Sequence, residues 1–154
     1  MPRVDPNYKF SDLSKSSSKP NIRVVMVGDA NAGKTSAIEN YMHNTFDINK
    51  GPSKAVLDAE KLEKSVNDIM FGIEMQDTSG QRDEAQTSRR QQYKDSDVFM
   101  LCLAVNSEDD SDEGVQFWIN EIRSVEPRKP IVLMLTKDDL LNGDKVVFTK
   151  EILN

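Results

Sequence analysis

Ile22-Arg23-Val24-Val25-Met26-Val27-Gly28-Asp29-Ala30-Asn31-Ala32-Gly33-Lys34-Thr35 is the stretch on which the fold turns. Its first six residues are rich in β-branched side chains and are stopped by Gly28, the pattern of a strand that feeds a turn. The next eight fit G-x-x-x-x-G-K-[ST], a loop whose glycines let the backbone curl until its N–H groups face anionic oxygens. Thr35 to His43 continues as a helical stretch, so the positive end of a helix adds to the potential of the loop. Lys34 supplies a point charge for terminal phosphates, and the Thr35 hydroxyl can ligate Mg²⁺. The predicted phosphate-binding set is Gly28, Asp29, Ala30, Asn31, Ala32, Gly33, Lys34, Thr35 and the following Ser36.

Outward from this loop, Val98 to Val105 and Ile131 to Leu135 are continuously apolar, which suits strands covered by helices on both faces. Between them Val115, Trp118, Ile119, Ile122 and Val125 recur at three- and four-residue spacing, predicting an amphipathic helix over 114–126 that Pro127 and Pro130 stop. The acidic stretch Glu108 to Glu113 suits the positive end of that helix better than it suits a metal. Ile69, Phe71, Ile73 and Met75 alternate with Met70, Gly72, Glu74 and Gln76, predicting a strand with two unlike faces. Lys54 to Leu62 is a weaker strand candidate, its antiparallel partner. Strands alternating with helices imply an α/β domain with an open, mainly parallel sheet and helices on both faces. Met1 to Pro20 carries Ser16-Ser17-Ser18 and three prolines without apolar periodicity, predicting a flexible arm over 1–20 before a domain over 21–154.

Composition limits what this domain can do. A net charge of −6 argues against a bulk binder of nucleic-acid polymers, which need a basic face to displace counterions. One thiol, Cys102, allows neither an internal disulfide nor a cysteine metal site, so a reducing interior such as the cytoplasm is the expected location. Inside a buried strand it should be an inert core thiol. No apolar run reaches the roughly 20 residues that cross a bilayer. His43 stands alone, with no nucleophile placed beside it by the sequence.

Two further motifs follow predicted strands. Asp77-Thr78-Ser79-Gly80-Gln81 reads D-x-x-G-Q, and Thr136-Lys137-Asp138-Asp139 reads T-K-x-D. With the loop at 28–35, these motifs resemble the Ras superfamily of small GTPases, and its Rho branch most closely, over about Ile22 to Leu141. Tyr93 to Phe99 and the helix around Trp118 add to the Rho likeness.

The resemblance implies a G domain of the phosphate-loop NTPase fold that switches between GTP- and GDP-bound forms, with Mg²⁺ as cofactor. It places Asp77 near Mg²⁺ through water, Gly80 at the γ-phosphate, and Gln81 on the attacking water, with Gln81 and Lys34 as the catalytic pair. Asp139 would accept two N–H donors from the guanine edge, with Lys137 packed along the base and Thr136 where many relatives have Asn. Phe46, eleven residues after Thr35, falls where the family lays an aromatic ring on guanine, and it reads equally as a core residue ending the first helix. Pro52-Ser53 matches the family's Pro-Thr, giving metal ligands Thr35, Ser53 and Asp77, although Lys54-Ala55-Val56-Leu57 departs from the usual effector sequence. The implied partners are effector, exchange-factor and GTPase-activating proteins.

Two departures qualify this. Ala30 stands where Ras and most Rho proteins have glycine; its methyl group crowds the glutamine and an incoming arginine, so slow hydrolysis is expected. The sequence stops at Asn154, about where the family's next helix would begin, before its S-A-K base loop and last helix. Read alone, that end predicts a fragment or a fold completed by another segment or chain, with an exposed edge, weakened nucleotide affinity and a tendency to dimerise. No C-a-a-X motif ends these residues and Pro2 rules out myristoylation, so membrane association would need a further C-terminus. The rival readings are a pseudo-GTPase interaction module, which includes one half of a larger or tandem G protein, and a phosphate-loop ATPase or kinase; Asp139 and Gln81 speak against the second.

Overall fold

The computed structural model of the chain describes residues 20–47, 58–83, 85–105 and 112–140. The expected arm up to Lys19, the Pro52-Ser53 pair, the Lys54 to Leu57 part of the strand candidate and the acidic residues Glu108 to Ser111 lie outside the described residues.

Among the described residues five strands and three α-helices follow one another as β1 (Asn21–Val27), α1 (Lys34–His43), β2 (Glu60–Val66), β3 (Ile69–Gln76), α2 (Gln86–Tyr93), β4 (Val98–Ala104), α3 (Asp112–Val125) and β5 (Ile131–Thr136). They form one sheet in the order β2-β3-β1-β4-β5. Strand β1 runs parallel to both neighbours, with Val25 opposite Gln76 on one side and Phe99 on the other, and β5 runs parallel to β4. Only β2 is antiparallel, paired with β3 from Glu60 opposite Met75 to Val66 opposite Ile69.

The unbroken apolar runs of β1 and β4 follow from their central places. Alternate residues point to opposite faces, so both parities must be apolar when both faces are covered. Val25, Val27, Phe99, Leu101 and Leu103 pack with Tyr93 of α2 and Val115, Trp118 and Ile122 of α3. Val24, Met26, Met75 and Cys102 pack on the other face with Ile38 of α1. Cys102 is fully buried, and burial pushes its thiol up to about 12, which makes it the inert core thiol the sequence suggested.

Two expectations need correction. The partner of β3 is Glu60–Val66, not Lys54 to Leu62, so only Glu60, Lys61 and Leu62 of the predicted strand are in it. Its sequence, Glu-Lys-Leu-Glu-Lys-Ser-Val, hid it, because an edge strand with mostly exposed side chains needs no apolar alternation. The informative signal was the two-residue turn: Asn67 and Asp68 both have positive φ, 49° and 63°, as a tight primed hairpin requires. Strand β5 is covered less completely than expected. Val132 and Leu135, which point to opposite faces, remain exposed, so among the described residues each face of this edge strand is only partly covered.

A buried charged cluster joins α2 to α3. Arg89 donates to both carboxylate oxygens of Glu121 at 2.9 and 2.8 Å, and Tyr93 donates to the same carboxylate at 2.7 Å. The guanidinium also stacks over Trp118 at 4.9 Å. Burial alone would push the Glu121 carboxyl up, but the bonds from Arg89 and Tyr93 outweigh it and hold the group below the usual carboxylate range. Removing one partner of so buried a pair leaves a bare charge, so Glu121→Ala should lose about 3–5 kcal/mol in urea unfolding at neutral pH. Because the folded carboxyl is the stronger acid, its contribution is complete above the ordinary value of 4.5 and disappears as pH falls through the folded value. Glu121→Gln should therefore show a flatter acid limb in a pH series of thermal midpoints.

Candidate functional site

The parallel strands β1, β3 and β5 end at Val27, Gln76 and Thr136, and each is followed at once by one of the three sequence motifs. Strand β1 also lies where the chain order reverses, since β3 flanks it on one side and β4 on the other. Such a switch point opens a crevice at the carboxyl edge of the sheet.

The loop after β1 is shaped by its neighbours. At Gly28 the backbone has φ 141°, and a Cβ there would lie 2.3 Å from the Cys102 carbonyl oxygen, so no side chain fits. Asn31 and Gly33 take left-handed conformations, φ 64° and 82°, which curl the chain back toward the sheet. Lys34 then returns its side chain beneath the loop, donating to the carbonyls of Gly28 at 2.9 Å and Asp29 at 2.8 Å. Burial pushes this ammonium below its ordinary 10.5, against the opposing pull of the Asp77 and Asp29 carboxylates. Helix α1 begins at Lys34 with no side-chain cap and no acid in its first turn. Its first-turn N–H groups, those around Thr35 and Ser36 included, thus have the arrangement that can receive an anion.

The motif after β3 meets this loop directly. Thr35 donates from its hydroxyl to the Asp77 carboxylate at 2.7 Å. Asp77 is 2% exposed, accepts from the Thr78 N–H at 3.0 Å, and is followed by a Thr78 hydroxyl anchored on the Met26 carbonyl at 2.6 Å. Two hard oxygens therefore face each other beside the phosphate loop, a donor set that fits Mg²⁺, which takes few protein ligands and completes its shell with phosphate and water. The third predicted ligand, Ser53, lies outside the described residues.

Residues 79–82 lie on top of the loop. A Cβ on Gly80 would stand 2.2 Å from the Ala30 nitrogen, so glycine is required there by contact. Arg82 forks onto the Asp29 carboxylate with two bonds of 2.7 Å, and its guanidinium lies 5.2 Å over the ring of Phe117. From the other side Arg89 donates to the carbonyls of Ser79 at 3.4 Å, Gln81, and Arg82 at 2.6 Å. The Gln81 N–H is directed at the Ser79 hydroxyl at 3.3 Å, and the residue itself is exposed.

The motif after β5 is tied in by Thr136, whose hydroxyl lies 2.8 Å from the Ala32 carbonyl and 3.3 Å from that of Leu103. Lys137 follows in a left-handed conformation, φ 60°, and Asp139 is exposed in a short 3₁₀ turn, Asp138–Leu140. Phe46 is 70% exposed, which removes the core alternative and leaves its ring accessible to a ligand. The structure thus brings Lys34, Thr35, Asp77, Gly80 and Thr136 together, while Phe46 and Asp139 stand free at the surface.

Sequence reasoning missed Arg82, Arg89 and Glu121. A signal existed for the last two. Glu121 follows Trp118 by one helical turn on the apolar stripe of α3, where a carboxylate demands a buried cation, and Arg89 precedes Tyr93 by four residues on one helix face. Nothing local marked the Arg82 to Asp29 pair.

The chain is similar to known proteins over most of its length. The family described as Ras, the Ras family, matches residues 23–152. The chain is 32% identical over 135 residues to the GTP-binding RHO-like protein of Candida albicans (strain WO-1), covering 88% of this chain and 38% of that protein. It is 34% identical over 126 residues to human Rho-related GTP-binding protein RhoV, covering 82% of this chain and 52% of RhoV. With the Ras-like GTP-binding protein RhoL of Drosophila melanogaster it shares 31% over 132 residues, covering 84% and 68% respectively. The chain therefore spans about half the length of RhoV and less of the Candida protein.

The contact at Gly28 yields a comparison of two glycines. Gly28→Ala drives a methyl group into the Cys102 carbonyl, whereas Gly33→Ala meets its nearest neighbour at 3.4 Å and suffers mainly from its φ. Gly28→Ala should lose at least about 2 kcal/mol in thermal or urea unfolding, and more than Gly33→Ala.

Proposed function

The chain belongs to the Ras family, among its Rho-like members, and on that premise we propose that its site binds GTP and GDP with Mg²⁺ and serves as a slow GTP-hydrolysing switch. The observation that carries this reading is the meeting of the Lys34-Thr35 loop with Asp77, Gly80 and Thr136 at one edge of the sheet. A curled loop, an uncapped helix and a buried ammonium form a cradle for a polyphosphate.

In this reading the N–H groups of residues 29–36 and the Lys34 ammonium hold the β- and γ-phosphates, and Thr35, Asp77 and Ser53 hold Mg²⁺. The metal, when bound, supplies positive charge against the phosphate oxygens. Gly80 and Ser53 would hold their loops to the γ-phosphate. Gln81 orients a water in line with the γ-phosphorus, and Lys34 neutralises charge that builds on the bridging oxygen as it leaves with GDP. Asp139 accepts from the guanine N–H donors, Lys137 and Phe46 flank the ring, and Thr136 spaces this end from the phosphates. Gly80 packs against the Ala30 backbone, so the residue that carries a methyl in place of hydrogen adjoins the segment bearing Gln81, and this supports slow turnover. Effectors, exchange factors and activating proteins of the Rho kind are the partners this function requires, in the cytoplasm or at a membrane surface.

Titration with fluorescent GDP should give a saturable signal that EDTA removes and that excess ATP leaves in place. Asp139→Ala should weaken GDP by about a hundredfold, since two charge-assisted bonds are lost. Ala30→Gly should raise single-turnover hydrolysis. A protein that binds GDP and ATP alike, or neither, sinks the proposal; binding without any turnover would instead favour an interaction module.

A further inference from the structure

The segment that carries Gln81 is neither strand nor helix, and a loop left to itself is a poor platform for aligning a water. Here it is held from two sides. Arg89, buried and fixed by Glu121, gathers the carbonyls of Ser79, Gln81 and Arg82. On the side of the phosphate loop, the Arg82 side chain closes a two-bond fork on Asp29, with both groups partly buried, at 34% and 14% exposed. The fork also sits over the Phe117 ring, which limits the directions in which the guanidinium can leave. A planar fork on a carboxylate fixes orientation as well as distance, which a single point charge does not.

We propose that Arg82 is a positioning residue for hydrolysis: by clamping the backbone next to Gln81 onto Asp29 of the phosphate loop, it sets where the Gln81 side chain meets the attacking water. Arg82 acts through Gln81 and touches neither water nor phosphate. The role rests on the GTP-hydrolysing function proposed above. It also removes a freedom: the segment is seated on the loop by the protein's own charges, not only by contact with a γ-phosphate.

The test uses the full chain and three variants, Arg82→Ala, Arg82→Lys and Asp29→Ala, with the double variant Arg82→Ala/Asp29→Ala. Single-turnover GTP hydrolysis and fluorescent-GDP affinity are measured for each, with amide hydrogen exchange over residues 79–82 in the nucleotide-free chain. Arg82→Ala should slow hydrolysis by about tenfold with GDP affinity held within about twofold, the signature of lost alignment and not of lost binding. Arg82→Lys should recover only part of the rate, and exchange over 79–82 should rise in Arg82→Ala. Adding Arg82→Ala to Asp29→Ala should cause no further slowing, because the two residues act as one unit. Unchanged turnover in an Arg82→Ala protein that binds GDP normally overturns this role alone, as do losses that multiply in the double variant. No guanine-nucleotide binding in the unsubstituted chain overturns the function and this role together.

Discussion

The Lys34 ammonium, buried under its own loop and shared between the carbonyls of Gly28 and Asp29, is the contact around which the rest is arranged. A buried cation needs compensation, and the loop supplies it with backbone dipoles while the Asp77 and Asp29 carboxylates add charge. The path that makes this possible depends on Gly28 lying flat against Cys102, which in turn depends on β1 being central and covered on both faces. Sheet order, core packing and site are thus consecutive consequences of one run of apolar residues ending in a glycine.

Much of this order could be read from residue types alone, and the parts that could are those where local chemistry and tertiary place agree. Strands β1 and β4 announce themselves because both their faces are buried, and α3 because one face is. Strand β2 did not, because an exposed edge imposes no apolar pattern and its charged residues resemble a loop. Helix α2 was silent for a similar reason: Gln-Thr-Ser-Arg-Arg-Gln-Gln-Tyr offers no apolar stripe, and its buried residues are an arginine and a tyrosine that need a carboxylate 32 and 28 residues away in sequence. In the site, the motif residues were legible because the cradle is local. The clamps were not, since Asp29 and Arg82 are 53 residues apart and only the topology brings them together.

The site also divides into rigid and adaptable parts. Asp77 and Thr78 are held by the Thr35 hydroxyl, by a bond between themselves and by the Met26 carbonyl of β1, whereas Phe46 and Asp139 are exposed. In the proposed function the groups that would face metal and phosphate are thereby pre-set, and those that would meet base or protein partners keep room to adjust. That division suits a molecule whose ligand changes by one phosphoryl group while its purine stays the same.

Thr136 gives this arrangement a fixed dimension. Its hydroxyl bridges the Ala32 and Leu103 carbonyls across 104 and 33 residues of sequence, bracing the loop beyond β5 against the loop beyond β1. The two anchor points behave like the jaws of a calliper whose opening is set before anything is grasped. In the proposed function a bare nucleoside or free pyrophosphate would touch one jaw only and gain nothing from the other. A site so built would gauge the length of what it holds as well as its chemistry.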